Sequence, residues 1–261
     1  MINDTLIKRL RECQHLAIVT GAGISAESGI PTFRDALTGL WETYDAEKLA
    51  SEHGFREDPS LVWGWYEWRR HNVLQTKPNP AHKIIAQLEK QLPKVTLITQ
   101  NVDDLHERAG STQVLHLHGS IHQARCLECG APYNYPQYAD KPDSFSFPEQ
   151  KLEPPHCECC HGLIRPGVVW FGESLPVDVW HYAEEAAEEC DLKMVIGTSS
   201  LVFPAANLPL LAIGRGTPAI QVNPTDTQLS QVATFNLKGK AGVILPRLYE
   251  LAFITELGMK C

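Results

Sequence analysis

The sequence predicts an α/β protein in which a mostly parallel sheet, covered by helices on both faces, is interrupted by a smaller inserted module. Three observations carry this expectation. Four short β-rich runs, Leu16 to Thr20, Val95 to Thr99, Lys193 to Gly197 and Ala219 to Asn223, alternate with helical stretches. A glycine-rich turn follows the first run at once. Five of the eight cysteines crowd between Cys126 and Cys160, in a proline-rich stretch.

Each element has a local cause. Asn3 or Asp4 caps a first helix whose apolar Leu6, Ile7 and Leu10 share a face. Leu16 to Thr20 is continuously apolar up to its last residue, as a strand buried on both faces requires, and stops at Gly21. Residues 35–79 read as a helical insertion rich in tryptophan (Trp41, Trp63, Trp65 and Trp68). A helix over Ala81 to Lys90 returns the chain to the sheet, and another covers Val179 to Glu189. Residues 121–166 carry six prolines between Pro132 and Pro155, which excludes regular structure throughout and calls for another source of order. The large domain is then discontinuous, made of residues 1–34, 80–120 and 167–261. Ligands of such sheets sit beyond the carboxyl ends of the strands. Gly21, Gln100, Gly197 and Asn223 all fall there.

Composition sets the outer bounds. The 261 residues hold 23 Lys+Arg against 31 Asp+Glu, a formal charge of −8, with 43% hydrophobic and 21% charged residues. These values fit a folded globular chain and argue against a general nucleic-acid binder. No apolar run reaches bilayer length, and the first residues lack the apolar core of a signal peptide, so no membrane role and a cytoplasmic location are expected.

The glycine-rich turn, GAGISAESGIPTFR, starts where the first strand ends. Gly21 and Gly23 permit close backbone approach, Ala26 takes the third small position, and the following N–H groups suit a pyrophosphate. No acidic residue stands at the end of a following strand to hold a ribose for hydride transfer. A dinucleotide used without hydride chemistry is the reading. The cysteines form two C-x-x-C knuckles, Cys126/Cys129 and Cys157/Cys160, with 27 residues between them. Four thiolates suit a closed, structural zinc site that would order this stretch, with Cys159 as a competing ligand or a spare thiol. Among eleven histidines the sequence alone selects none.

A resemblance narrows this. The glycine turn, TQNVDDLHERAG (Thr99 to Gly110), LHGS (Leu117 to Ser120), VVWFGE (Val168 to Glu173), GTSS (Gly197 to Ser200) and VNP (Val222 to Pro224) resemble the motifs of the sirtuin family, in the family's order. The resemblance implies a Rossmann-like NAD-binding domain, a small zinc domain and NAD-dependent removal of acyl groups from protein lysines. It implies attack of the acyl oxygen on the ribose of NAD, loss of nicotinamide, and release of 2′-O-acyl-ADP-ribose. His118 matches the catalytic histidine. Asn101 and Asp103 match residues that orient the ribose and the carboxamide, and Asn101 is carried over as catalytic too. Gly21, Ala22, Gly23, Phe33, Arg34, Gln100, Gly197, Thr198, Ser199, Asn223 and Ala241 match cofactor-binding positions. HGLIRP after Cys160 favours Cys157 and Cys160 as the second knuckle. Tyr66 and Arg69, one helical turn apart, match the pair that favours succinyl and malonyl groups. Val169, Trp170 and Phe171 resemble a strand that pairs with the substrate backbone. Mono-ADP-ribosyl transfer, or general deacetylation without acidic preference, are the alternatives. His116 competes with His118 but points to the opposite face if this segment is a strand.

Overall fold

The computed structural model describes residues 2–32, 46–135 and 151–254. Phe33 and Arg34, expected in a cofactor loop, lie outside the described residues. Helix α1 (Asp4–Glu12) begins at Asn3, whose side-chain oxygen accepts from the Leu6 N–H at 2.9 Å. It leads into β1 (His15–Thr20), buried at every position, and then into the short α2 (Ala22–Ala26). The tryptophan-rich insertion contains α3 (Ala46–Leu49), α4 (Glu52–Glu57) and α5 (Pro59–Gln75). Next come α6 (Pro80–Gln91), β2 (Lys94–Thr99), α7 (Leu105–Ala109) and β3 (Val114–His116). Strands β4 (Gly119–Cys126), β5 (Pro132–Tyr133) and β6 (Ile164–Val168) follow. The chain closes through α8 (Val177–Glu189), β7 (Leu192–Ile196), α9 (Asn207–Gly214), β8 (Ala219–Asn223), β9 (Phe235–Lys238) and α10 (Ala241–Tyr249).

The six-stranded sheet has the order β3-β2-β1-β7-β8-β9 and is parallel throughout. On one face Leu16, Ile18, Leu97, Met194 and Ile220 pack against Leu6 and Leu10 of α1, Ile85 of α6 and Leu245 of α10. On the other, Val19 and Ile98 meet Ala183, Ala186 and Ala187 of α8 and Leu208 of α9. Small alanines there let the helix approach the sheet closely. Four strands match the four predicted runs to within one residue. The two edge strands, β3 and β9, have no counterpart in the sequence reading, because short, half-exposed edges lack a continuous apolar run.

A second, antiparallel sheet has the order β5-β4-β6, with a register shift between Gly119 and Ala124. It shares a core with the tryptophan-rich insertion: Leu49, Phe55, Trp65 and Tyr66 pack with Ile121, Ile164 and Trp170. The two interruptions of the α/β pattern are therefore one packed unit. Among the described residues no helix is long and apolar enough to cross a membrane.

One residue runs against the burial rules. Lys193 of β7 is fully buried and its amine has no hydrogen-bond partner among the described residues; burial pushes its pKa down to about 8 from 10.5. Between those values the unfolded chain holds a proton that the folded chain has released, so stability rises with pH across the window. Lys193→Met should therefore raise the melting temperature at pH 7 by several degrees, reflecting up to about 3 kcal/mol. It should also flatten the rise in stability between pH 8 and 10. Calorimetry at pH 7 and pH 10 checks both.

Candidate active site

A cavity of about 970 Å³ opens at the carboxyl ends of the parallel strands. Its walls come from successive strand ends. Gly21, Ala22 and Gly23 follow β1, Gln100 and Asn101 follow β2, and His118 follows β3. Gly197, Thr198 and Ser199 follow β7, Asn223 ends β8, and Ala241 opens α10. Phe171 closes the side toward the smaller unit. The turns after β1 and β7 touch: the Gly23 N–H donates to the Gly197 carbonyl at 2.8 Å, and the Gly21 N–H to that of Ile196 at 3.0 Å. A Cβ on Gly23 would stand 2.7 Å from the Gly197 oxygen. The glycine at each position is a steric requirement.

Two histidines at the end of β3 differ in what their nitrogens do. His118 donates Nδ1–H to the Gln100 carbonyl at 2.9 Å. This fixes the tautomer and leaves the Nε2 lone pair available. Burial lowers its pKa below the ordinary 6.5, against the opposing effect of the Gln100 carbonyl, so the ring is neutral at pH 7. His116 instead binds the Asn101 carbonyl at 3.1 Å through Nδ1 and Glu107 at 2.7 Å through Nε2. Burial opposes its charge, yet the Glu107 carboxylate prevails and raises its pKa. With both nitrogens donating, His116 has no lone pair for a base. His106 is buried behind the sheet end, with Nε2 3.0 Å from the Thr20 hydroxyl, and burial pushes its pKa well down.

Asp103 stands one layer behind the wall. It accepts from the Ser25 hydroxyl at 2.9 Å and the Leu105 N–H at 3.1 Å, while Ser25 accepts from Asn101 Nδ2 at 3.1 Å. Its carboxylate orients Asn101 through Ser25. Sequence reasoning missed Ser25, because a serine in a glycine turn carries no signal of such a contact. It also missed Glu27, Asp226 and Lys240, which line the cavity. The position of Asp226 shortly after β8 was the available hint.

Tyr66 and Arg69 do not line this cavity. They stand on α5, with the Arg69 guanidinium 4.8 Å from the Trp65 ring and 5.6 Å from the Tyr66 ring. Arg69 lies close enough to Asp103 for the two charges to interact. Among the described residues it has no carboxylate within salt-bridge distance. The Tyr66 oxygen accepts from Trp170 Nε1 at 3.1 Å, and its own proton has no acceptor among the described residues.

Val169, Trp170 and Phe171 depart from the expected strand. Strand β6 ends at Val168, and the chain turns through Gly172 at φ +86°. The N–H groups of the three residues are taken by the His118 carbonyl, a Glu173 carboxylate oxygen and the Ala50 carbonyl. Of the three, Phe171 alone reaches the cavity wall.

The sulfurs of Cys126, Cys129, Cys157 and Cys160 lie within 4.8 Å of one another. The Cys126–Cys160 and Cys129–Cys157 distances are 3.4 and 3.7 Å. A tetrahedral zinc with bonds of about 2.3 Å separates its sulfurs by about 3.8 Å. The group fits one structural zinc ion with every position filled by sulfur. Cys159 is exposed and lies outside the group.

Comparison with known proteins gives the family. Residues 21–204 match the profile described as the Sir2 family. The chain belongs to the Sir2 family. A relative named NAD-dependent protein deacylase, from Methylococcus capsulatus, is 55% identical over 95% of this chain and 96% of its own. NAD-dependent protein deacylase 1 of Pseudomonas aeruginosa is 52% identical over 95% and 98%. Among solved structures, a complex of a Sir2 homolog with NAD is 45% identical, with a TM-score of 0.87 over 97% of this chain and 94% of its own. The Rossmann-like sheet and the four-cysteine module of this chain are those of a sirtuin.

The zinc assignment has a direct check. Cys160→Ala, or chelation of the metal, should remove zinc from the protein and make residues 119–168 susceptible to proteolysis, since metal binding supplies folding free energy of about 10 kcal/mol or more in small zinc modules. Metal analysis with limited proteolysis reads both, and an unchanged digest would contradict the structural role.

Proposed function

We propose that this sirtuin removes acidic acyl groups, succinyl and malonyl, from protein lysines, with acetyl as a poorer substrate. NAD-dependent protein deacylation is the activity its relatives are named for, and a Sir2 structure with a p53 peptide and NAD, 31% identical at a TM-score of 0.81, has a protein segment as its partner. The finer reading rests on one observation: a half-buried guanidinium on α5 with no carboxylate within salt-bridge distance among the described residues, one turn from a tyrosine hydroxyl whose proton has no acceptor among them. An acyl carboxylate would satisfy both.

In this reading the interlocked turns after β1 and β7 hold the pyrophosphate of NAD with their N–H groups. Thr198, Ser199, Asn223 and Ala241 hold the adenosine half. Gln100 and Asn101 fix the ribose nearest His118, with Asp103 acting through Ser25. The acyl oxygen attacks the ribose carbon as nicotinamide leaves, Nε2 of His118 takes the proton of a ribose hydroxyl as that oxygen adds to the acyl carbon, and a water molecule completes the release of the lysine amine. Lysine and 2′-O-acyl-ADP-ribose are the products. Thiols at Cys13, Cys159 and Cys190, with the other described cysteines suited to zinc, fit the reducing cytoplasm.

Matched succinyl- and acetyl-lysine peptides test the acyl preference. Arg69→Met should lower kcat/KM for the succinyl peptide by about ten- to a hundredfold, the worth of a hydrogen bond to a charged group, and the acetyl peptide much less. Unchanged rates on both peptides would mean a general deacetylase, whereas equal losses would mark damage to the fold or the NAD site. Mass spectrometry of the products should find acyl-ADP-ribose, whereas ADP-ribosylated protein would mark transfer instead.

The base assignment predicts a pH profile. The neutral imidazole is the active form and its pKa lies below 6.5, so kcat/KM should rise from acid pH with its midpoint below that value and then level off. His118→Ala should lower the plateau by about 10²–10⁴-fold while NAD binding, read by titration, persists.

A further inference from the structure

We propose that Trp170 is a positioning residue for acyl selection: its indole N–H aims the Tyr66 hydroxyl at the acyl carboxylate. The inference rests on the assignment of Tyr66 and Arg69 to an acidic acyl group.

Trp170 is 2% exposed, and its Nε1 lies 3.1 Å from the Tyr66 oxygen. Indole is a donor only, so the direction of this bond is fixed: Trp170 donates and Tyr66 accepts. A phenol has a single proton. With the indole on its lone pair, that proton must point away from Trp170. It finds no acceptor among the described residues, although Tyr66 is only 4% exposed. A buried donor left unmet in this way is costly unless a ligand meets it. Arg69 stands one turn along the same helix face, its guanidinium stacked near the Tyr66 ring. A terminal carboxylate has lone pairs enough for both donors.

The indole is held in place independently of the acyl group. The Arg165 guanidinium lies 3.5 Å from the centre of its ring, and Phe55 packs against it at 5.4 Å between centroids. Arg165 is itself held by the Val168 carbonyl at 2.8 Å and by Glu173 at 3.1 Å, and the Trp170 backbone N–H donates to Glu173 at 2.8 Å. Glu173 thus neutralises Arg165, leaving the acyl anion to Arg69. Glu173, Arg165, Trp170 and Tyr66 form a chain of contacts that ends in one aimed proton.

The measurement is the ratio of kcat/KM for matched succinyl and acetyl peptides, because misfolding or damage to the NAD site lowers both alike. Trp170→Phe keeps an aromatic ring but removes the N–H. Its ratio should fall about three- to tenfold, the worth of one neutral hydrogen bond, mainly through a raised KM for the succinyl peptide. In a Tyr66→Phe background the same substitution should leave the ratio where Tyr66→Phe alone puts it, since the group being aimed is gone. If Trp170→Phe fails to fold, 3-benzothienylalanine at position 170 replaces the N–H with sulfur and keeps the bicyclic ring. An unchanged ratio, or an equal fall with and without the Tyr66 hydroxyl, overturns the role of Trp170 while a collapse in Arg69→Met leaves the acyl assignment standing. An unchanged ratio in Arg69→Met as well removes both.

Discussion

The fold is organised around a contact with no side chains in it. The turns leaving β1 and β7 pass so close that Gly23 and Gly197 exclude a Cβ on either side: one on Gly197, which sits at φ +61°, would fall 2.4 Å from the Ile24 nitrogen. Strand order reverses at β1, where the chain runs outward to β2 on one side and to β7 on the other. Such a switch point opens a crevice beyond the strand ends. The glycine contact forms its floor, and the polar groups of the site take their positions relative to it.

Around that floor the site is graded by depth. Gln100 reaches three strand ends: its N–H donates to the Thr20 carbonyl at 2.9 Å, its amide to the Thr198 hydroxyl at 3.3 Å, and its carbonyl accepts from His118. Behind it, Asp103, Ser25 and the buried Thr20–Thr99 hydroxyl pair satisfy one another. Buried polar groups arranged in this way stiffen a site, because a moved member leaves a partner unpaired. The contrast between His116 and His118 has the same origin. Two residues apart, they differ in charge because one has a carboxylate at its second nitrogen and the other has open cavity.

What the sequence disclosed of the fold followed from periodicity and spacing, and what it disclosed of the site residues came mostly through the resemblance to the sirtuin motifs. Leu16 to Thr20 and Ala219 to Asn223 are legible because strands covered on both faces must be apolar along their length, whereas Val114–His116 and Phe235–Lys238, at the sheet edges, are not bound by that rule. The cysteine knuckles are legible because metal geometry constrains spacing. Ser25, Glu27 and the Trp170–Tyr66 bond are not, since each joins positions far apart in the chain through one atom. The Val169–Phe171 segment is expected as strand only through the resemblance to the family's motif. Gly172 turns the chain out of the sheet, and a lone glycine does not announce where a strand stops.

Strand β4 begins one residue after His118 and ends at the metal ligand Cys126. Its 8 residues span about 26 Å, so one strand joins the histidine end of the cavity to the metal module. Its near end is seated by Gly119, at φ +73° against the Gly167 carbonyl. A tilt of about 5° pivoting there would carry the zinc end roughly 2 Å while moving the histidine by a small fraction of that. The two ends are tied unequally: a change of angle that displaced the metal module would leave His118 nearly where it stands.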